Sequence, residues 1–305
     1  MGRQPTKRVS RRTLLTGAAG IAGVAVVGTL VDNRVLPGKG HLERALHIAP
    51  SQGVDASIPD VSAGPIVSGR FTSVRFRRRV GWAVAYPPGS RDGASLPVAL
   101  ALPGRGTTGV AFLHDIGYPS FLAAFVGGGG QSYAIAAVDG GTEYWHPRSN
   151  GDDPLGMLVD EFLPLLDRMS LHTSTFGALG VSMGGYGSLL LARQSGRGAL
   201  GGRRLTVAAA ASPALWESAG ATAPGAFDDA ADWARWGDLI AAPGVASSTA
   251  LWVSCGDSDP FAASTRAYRT ATRGPAGGFT PGAHTDGYWR SVAAAHVAFV
   301  GQHVT

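Results

Sequence analysis

The chain is 305 residues long, 45 % hydrophobic and 15 % charged, which excludes a disordered polymer and leaves room for one large domain with a substantial core. Its formal net charge of +5 resides in the first residues: Arg3, Lys7, Arg8, Arg11 and Arg12 precede any acid, and without them 21 basic face 21 acidic residues. The near-neutral body gives a nucleic-acid partner no support, and the single cysteine, Cys255, excludes an intrachain disulfide.

In chain order, residues 1–31 read as an export segment. A basic start is followed by 18 uncharged residues, 14–31, the layout of a signal sequence. Ser10-Arg11-Arg12-Thr13-Leu14-Leu15 resembles the twin-arginine motif that sends folded proteins across a bacterial membrane. No clean small-residue cleavage site precedes Asp32, so the segment is either removed or kept as an N-terminal anchor, which allows membrane association. Residues 32–69, rich in Pro, Gly, Ser and Asp, read as a linker or arm. The domain expected to carry the chemistry is 70–305.

"RFTSVRFRRRVGWAVAYPPG" predicts an antiparallel strand pair at a sheet edge, with Arg75, Arg77, Arg78 and Arg79 as a solvated strand face and turn. "VALALPGRG", "YAIAAVDGG", "TFGALGVSMGG", "RLTVAAAASP" and "ALWVSCGDSD" are compact apolar runs of the buried-strand type, each ending in a turn. "DPLGMLVDEFLPLLDRM" has helical spacing with Pro154 near its start. "YGSLLLARQSG" and "YWRSVAAAHVAFVGQH" also read as helices. Alternating strands and helices imply an α/β fold: a mostly parallel central sheet with helices on both faces. Ligands of such sheets sit beyond the carboxyl ends of the strands, where Arg105, Asp139, Ser182, Ser212 and Asp257–Asp259 all fall.

Gly180-Val181-Ser182-Met183-Gly184 fits G-x-S-x-G between a strand and a helix. That turn exposes a serine Oγ and aims backbone N–H groups from the helix start at developing negative charge. A serine nucleophile needs a base, and the base an orienting acid. Asp259 is the favoured acid, three residues past Gly256, with Asp257 as its rival and a brace of the turn otherwise. His284, 25 residues further on in "PGAHTDGYW", is the expected base. His296 reads as a helix residue packed on the sheet, while His114 and His146 follow strand ends and come before the serine. The amides of Met183 and Arg105 are the candidate oxyanion donors.

With these pieces in place the chain resembles the esterase family of α/β-hydrolases that includes S-formylglutathione hydrolases, feruloyl-type esterases and secreted mycolyltransferases. The resemblance covers roughly residues 70–300 and rests on "LALPGRG", "AAVDGGTEYWHP", "LVDEFLPLL", "GVSMGGYGSL", "WVSCGDSDPF" and "HTDGYW". It implies the α/β-hydrolase fold, a triad of Ser182, Asp259 and His284, an oxyanion hole at Met183 and Arg105, and Trp145 and His146 near an acyl pocket. Relatives often carry an apolar residue where Arg105 stands, and the glutamate acid of the mycolyltransferases has no counterpart.

The function expected is therefore hydrolysis of a carboxylic ester through an acyl-enzyme, without metal or organic cofactor, with lipid esters and acylated sugars among the candidate substrates, in an exported or envelope-attached protein. Acyl transfer to an alcohol is the rival within enzymes, and a non-catalytic envelope binding module the rival outside them. The stretch "ALWESAGATAPGAFDDAADWARWGD" is placed to cover the site. Its Trp216, Trp233 and Trp236 either line a lipid-facing cleft or pack a lid.

Overall fold

The computed structural model describes residues 56–304. The predicted export segment and residues 32–55 of the arm lie outside the described residues. Eight strands form one sheet: β1 (Ile66–Ser73), β2 (Arg78–Ala85), β3 (Pro97–Leu102), β4 (Ala134–Val138), β5 (His172–Val181), β6 (Arg204–Ala211), β7 (Ala250–Gly256) and β8 (Ala276–Thr280). Their order across the sheet is β1-β2-β4-β3-β5-β6-β7-β8. β2 pairs antiparallel with both of its neighbours, and β3 to β8 pair in parallel. The edge hairpin and the five buried runs thus form as their composition dictates. β1 opens at Ile66, however, so the end of the stretch read as linker belongs to the sheet. The residues just before it are also docked: the Tyr86 amide donates to the Pro65 carbonyl at 2.9 Å.

The helices divide between the two faces. On one lie α3 (residues 154–168), α4 (Met183–Gly196), a short α5 (residues 230–237) and α6 (Ala262–Ala271). On the other lie α1 (Gly109–Ile116), α2 (Tyr118–Gly127) and α7 (Asp286–His303). Alternation along the strands supplies both cores. Val98, Leu100 and Leu102 of β3 face the first layer, and Ala99 and Ala101 the second. The sheet centre is built largely of alanine and glycine, which lets helices approach closely. A Cβ on Gly177 of β5 would lie 2.9 Å from Val207 and 3.5 Å from Val300 of α7.

α1 and α2, which the sequence pattern does not predict, are bent by 56° at Gly117. Gly117 has φ 85° and serves as both the C-cap of α1 and the N-cap of α2, a backbone state open to glycine at no steric cost. No single described helix is long and apolar enough to cross a membrane. α3 begins with Pro154 at its first turn, capped by the Asp153 carboxylate, and widens to a π-helical turn at Met157–Phe162.

The arginine run is not simply solvated. Arg78 pairs with Glu143 and Asp152 and lies over the Phe76 ring at 4.0 Å, and Arg75 pairs with Asp160 at 2.6 Å. The basic turn is thereby fastened to the loop after β4 and to α3. Asp139, at the end of β4, accepts the Gly81 amide at 3.0 Å and the Gly109 amide at 2.8 Å. It is a joint between β2 and α1.

Candidate active site

Ser182 sits between β5 and α4 with φ 54° and ψ −121°. A serine in this conformation carries strain of ~1–3 kcal/mol, held by its surroundings. The flanking glycines show why. A Cβ on Gly180 would lie 2.2 Å from the Gly184 carbonyl oxygen, and one on Gly184 would lie 1.7 Å from that of Leu102. The strand enters and the helix leaves with no space for side chains, and the end of β3 crosses directly over the first turn of α4. The Ser182 backbone is fastened on both sides of its Cα: its N–H donates to the Ala211 carbonyl at 3.0 Å, and its carbonyl accepts the Ala214 and Tyr186 amides, each at 3.0 Å.

The other two groups arrive from the far end of the sheet. The loop after β7 and the loop after β8 run in contact, because Gly256 has no Cβ; one placed there would lie 2.3 Å from the Gly282 carbonyl oxygen. The Asp257 amide donates to the Thr280 carbonyl at 3.0 Å and the Ser258 amide to the Gly282 carbonyl at 2.9 Å. These bonds bring Asp259 to His284, which stands one residue before Thr285, the N-cap of α7. His284 Nδ1 lies 2.8 Å from Asp259 Oδ2 and His284 Nε2 lies 2.8 Å from Ser182 Oγ. With Nδ1–H donating to the Asp259 carboxylate, Nε2 is the acceptor for the serine hydroxyl. Hydroxyl, imidazole and carboxylate form one continuous chain of hydrogen bonds.

The competition between the two acids resolves on position. Asp259 is 5 % exposed and reaches the imidazole. Asp257 instead accepts the Gly282 amide at 3.3 Å and the Ser258 hydroxyl at 3.2 Å, so it braces the turn. Burial pushes the Asp259 carboxyl up. His284 beside it and bonded to it, the Phe261 amide and the Ser212 hydroxyl together outweigh burial and hold it below the ordinary carboxylate value. The acid is thus kept ionised in an apolar setting.

Aromatic rings enclose the imidazole. Trp289 meets His284 edge-on with centroids 5.0 Å apart, and Phe261 lies at 5.3 Å. Phe261 also donates its amide to Asp259 Oδ1 at 2.8 Å. Neither ring was singled out from the sequence, although each follows its motif directly, in "GDSDPF" and "HTDGYW". Trp216 continues the wall, 5.5 Å from Phe261 and 5.5 Å from Tyr144.

Arg105 stands in the β3–α1 loop, three residues past the end of β3. Its side chain is not a free loop cation. Nη2 donates to the Pro224 carbonyl at 3.1 Å and the guanidinium lies over the Tyr144 ring at 5.9 Å. Trp145 and His146 are wholly buried. Trp145 is wedged on α4, where a Cβ on Gly187 would lie 2.6 Å from its ring. His146 faces the Ala226 carbonyl through Nε2 and the Pro147 carbonyl through Nδ1, each at 3.0 Å, and stacks on Phe227. It joins the loop after β4 to the segment between β6 and β7. Trp236 stacks on the same imidazole and Trp216 is 7 % exposed, so these tryptophans pack the covering segment to the body. His114, by contrast, projects from α1 with its side chain 89 % exposed. His296 packs on Trp252 of the sheet, as its place in α7 predicts. Among the described residues no cluster of His, Cys, Asp or Glu gathers as a metal site.

A mostly parallel eight-stranded sheet with a serine on the turn after β5, and an acid and a histidine after β7 and β8, defines the α/β-hydrolase fold. Solved structures agree. A ferulic acid esterase superposes with a TM-score of 0.65 at 18 % identity, over 79 % of this chain and 99 % of its own. An S-formylglutathione hydrolase from Agrobacterium tumefaciens gives 0.65 at 15 % identity, over 82 % and 99 %. A ferulic acid esterase from the anaerobic fungus Anaeromyces mucronatus gives 0.59 at 18 % identity, over 82 % and 97 %. No family model and no curated protein sequence matches the chain.

Proposed function

We propose that the protein is a serine esterase. The observation that carries the reading is the unbroken chain from Ser182 Oγ through His284 to Asp259, at 2.8 Å and 2.8 Å, starting from a strained turn. In this reading His284 Nε2 takes the Ser182 proton as Oγ attacks the acyl carbonyl. The Met183 and Arg105 amides receive the oxyanion. His284 then passes its proton to the departing alkoxide, leaving an acyl-enzyme. Water, deprotonated by His284, releases the acid and restores the serine. Asp259 stays ionised and balances the imidazolium charge in both steps.

The ferulic acid esterases among the structural neighbours, together with the ring wall beside His284, make an ester of an aromatic acid the first substrate to try. The basic start and uncharged run of residues 1–31 support export by the twin-arginine route, which places the enzyme outside the cytoplasm or at the envelope.

Residues 32–305 and the Ser182→Ala variant are assayed with methyl ferulate and with p-nitrophenyl esters from acetate to palmitate. The expected result is turnover by the wild type and a fall of at least about ten-thousandfold in the variant. A fluorophosphonate should label the wild type alone. A folded wild type that neither turns over nor labels overturns the reading.

A further inference from the structure

Ser212, immediately after β6, has so far entered only through its effect on the Asp259 carboxyl, and two observations set it apart. Its φ is 46°, in the left-handed region that residues other than glycine rarely occupy. It also lies between the two residues that fasten the candidate nucleophile: Ala211 accepts the Ser182 amide at 3.0 Å, and Ala214 donates to the Ser182 carbonyl at 3.0 Å. The reversal at Ser212 is what lets one short loop bond both the N–H and the carbonyl of Ser182. Its own amide donates to the Ser254 carbonyl of β7 at 2.8 Å, which ties this loop to the strand that leads to Asp259.

The hydroxyl adds a second argument. Ser212 is 0 % exposed, and no acceptor meets its Oγ with ordinary hydrogen-bond geometry. A buried hydroxyl left without a partner is costly, so its retention calls for a reason. Its neighbours are Asp259, whose carboxyl it helps to lower, and Cys255, whose thiol burial and Asp259 push up to about 12. A neutral thiol is a weak acceptor. The carboxylate is the strong one, and its two oxygens already bind His284 Nδ1 and the Phe261 amide, leaving lone pairs for a third donor.

We infer that Ser212 is a positioning residue for the triad: its left-handed turn clamps the Ser182 peptide, and its buried hydroxyl donates to the Asp259 carboxylate during turnover. The inference rests on the esterase reading above. A third donor makes the carboxylate less basic, so the Asp259–His284 pair holds its proton less tightly and stays competent to lower pH.

The test compares the wild type, Ser212→Ala and Ser212→Gly in residues 32–305. Glycine accepts a positive φ without strain, so it separates the hydroxyl from the turn and keeps the test alive should the alanine variant fold poorly. In both variants kcat is expected to fall about tenfold, one charge-assisted hydrogen bond, with KM unchanged. The acid limb of the kcat/KM profile should move to higher pH by about half a unit or more. If the wild type is active and the glycine variant keeps its kcat and its pH profile, the inference is overturned while the esterase reading stands. A fall in melting temperature with the acid limb unmoved also overturns it, because a merely structural role predicts that result. If the wild type itself neither turns over nor binds a fluorophosphonate, the esterase reading fails and this inference with it.

Discussion

At the scale of the residue, the two acids of "GDSDP" offer a sharp contrast. They are two positions apart and chemically identical, yet one is turned to the imidazole and the other to the backbone of the β8 loop. Asp259→Asn preserves the shape but presents an amide NH₂ or a neutral oxygen to His284 Nδ1, which removes the charge that balances the imidazolium and favours the wrong tautomer. kcat should fall by about ten-thousandfold, as for the acid of a serine triad. Asp257→Asn keeps an oxygen for the Gly282 amide and should stay within about threefold of the wild type, losing only part of a partly exposed turn. Steady-state kinetics on the two purified variants checks this directly. Equal losses would mean that the carboxylate roles are not divided as the geometry divides them.

At the scale of the element, the segment between β6 and β7 is held by an array of polar ties. Arg148 donates through Nε and Nη2 to one oxygen of Asp228, at 3.0 Å and 2.7 Å, and through Nη1 to the Gly225 and Ala226 carbonyls. The Ser149 amide takes the second Asp228 oxygen at 2.6 Å. These bonds hold the Asp228 carboxyl down to about 2, Arg148 contributing most and burial opposing. With Arg148 only 10 % exposed, Arg148→Ala strands a carboxylate and two carbonyls and should cost about 2–3 kcal/mol. Because the segment carries Trp216 and Phe227, its loosening should raise KM more than it lowers kcat. It should also open residues 217–235 to limited proteolysis. An unchanged cleavage pattern would argue that packing alone holds the segment.

The same element shows what sequence makes legible. The buried strands announce themselves as short apolar runs, and Ser182, Asp259 and His284 lie in or beside local motifs whose backbone requirements leave glycines in place. The pairing of Arg148 with Asp228 spans 80 positions and leaves no local trace, so the covering stretch reads as loop with ambiguous tryptophans. α1 and α2 escape notice for another reason. α1 is only eight residues long, too short for its spacing to stand out, and α2, "YPSFLAAFVG", is nearly apolar throughout, so it has little period to read. Ser212 was visible only as one more polar residue after a strand. Its backbone state is imposed by two neighbouring strands, not by its own sequence.

At the scale of the whole molecule, buried imidazoles set the response to acid. His296 is completely buried in α7 against Trp252, with the Tyr118 hydroxyl 3.1 Å from Nδ1, and burial drives its pKa from 6.5 down to about 3. His146 is lowered in the same direction, burial outweighing the Ala226 carbonyl and Asp232. The unfolded chain therefore takes up protons near pH 6.5 that the folded chain refuses until far lower. For His296, between these values the unfolded state binds more protons, so stability falls as pH falls, by about 1.4 kcal/mol per unit, and His146 adds to the same trend. Asp228 and Asp259, both lowered, contribute stability that is present above about pH 4 and is lost below it. Acid should thus act in two stages, imidazoles first and carboxylates second. His296→Asn keeps an acceptor for Tyr118 and removes one titrating ring. Its stability at pH 7.5 should drop through lost packing, but its unfolding free energy should decline less steeply from pH 6 to pH 4, the slope reduced by about one proton. Urea unfolding at half-unit pH intervals reads that slope. Parallel curves for wild type and variant would mean that His296 takes up its proton in the folded state as readily as in the unfolded one, and that the first stage of acid loss belongs to His146 alone.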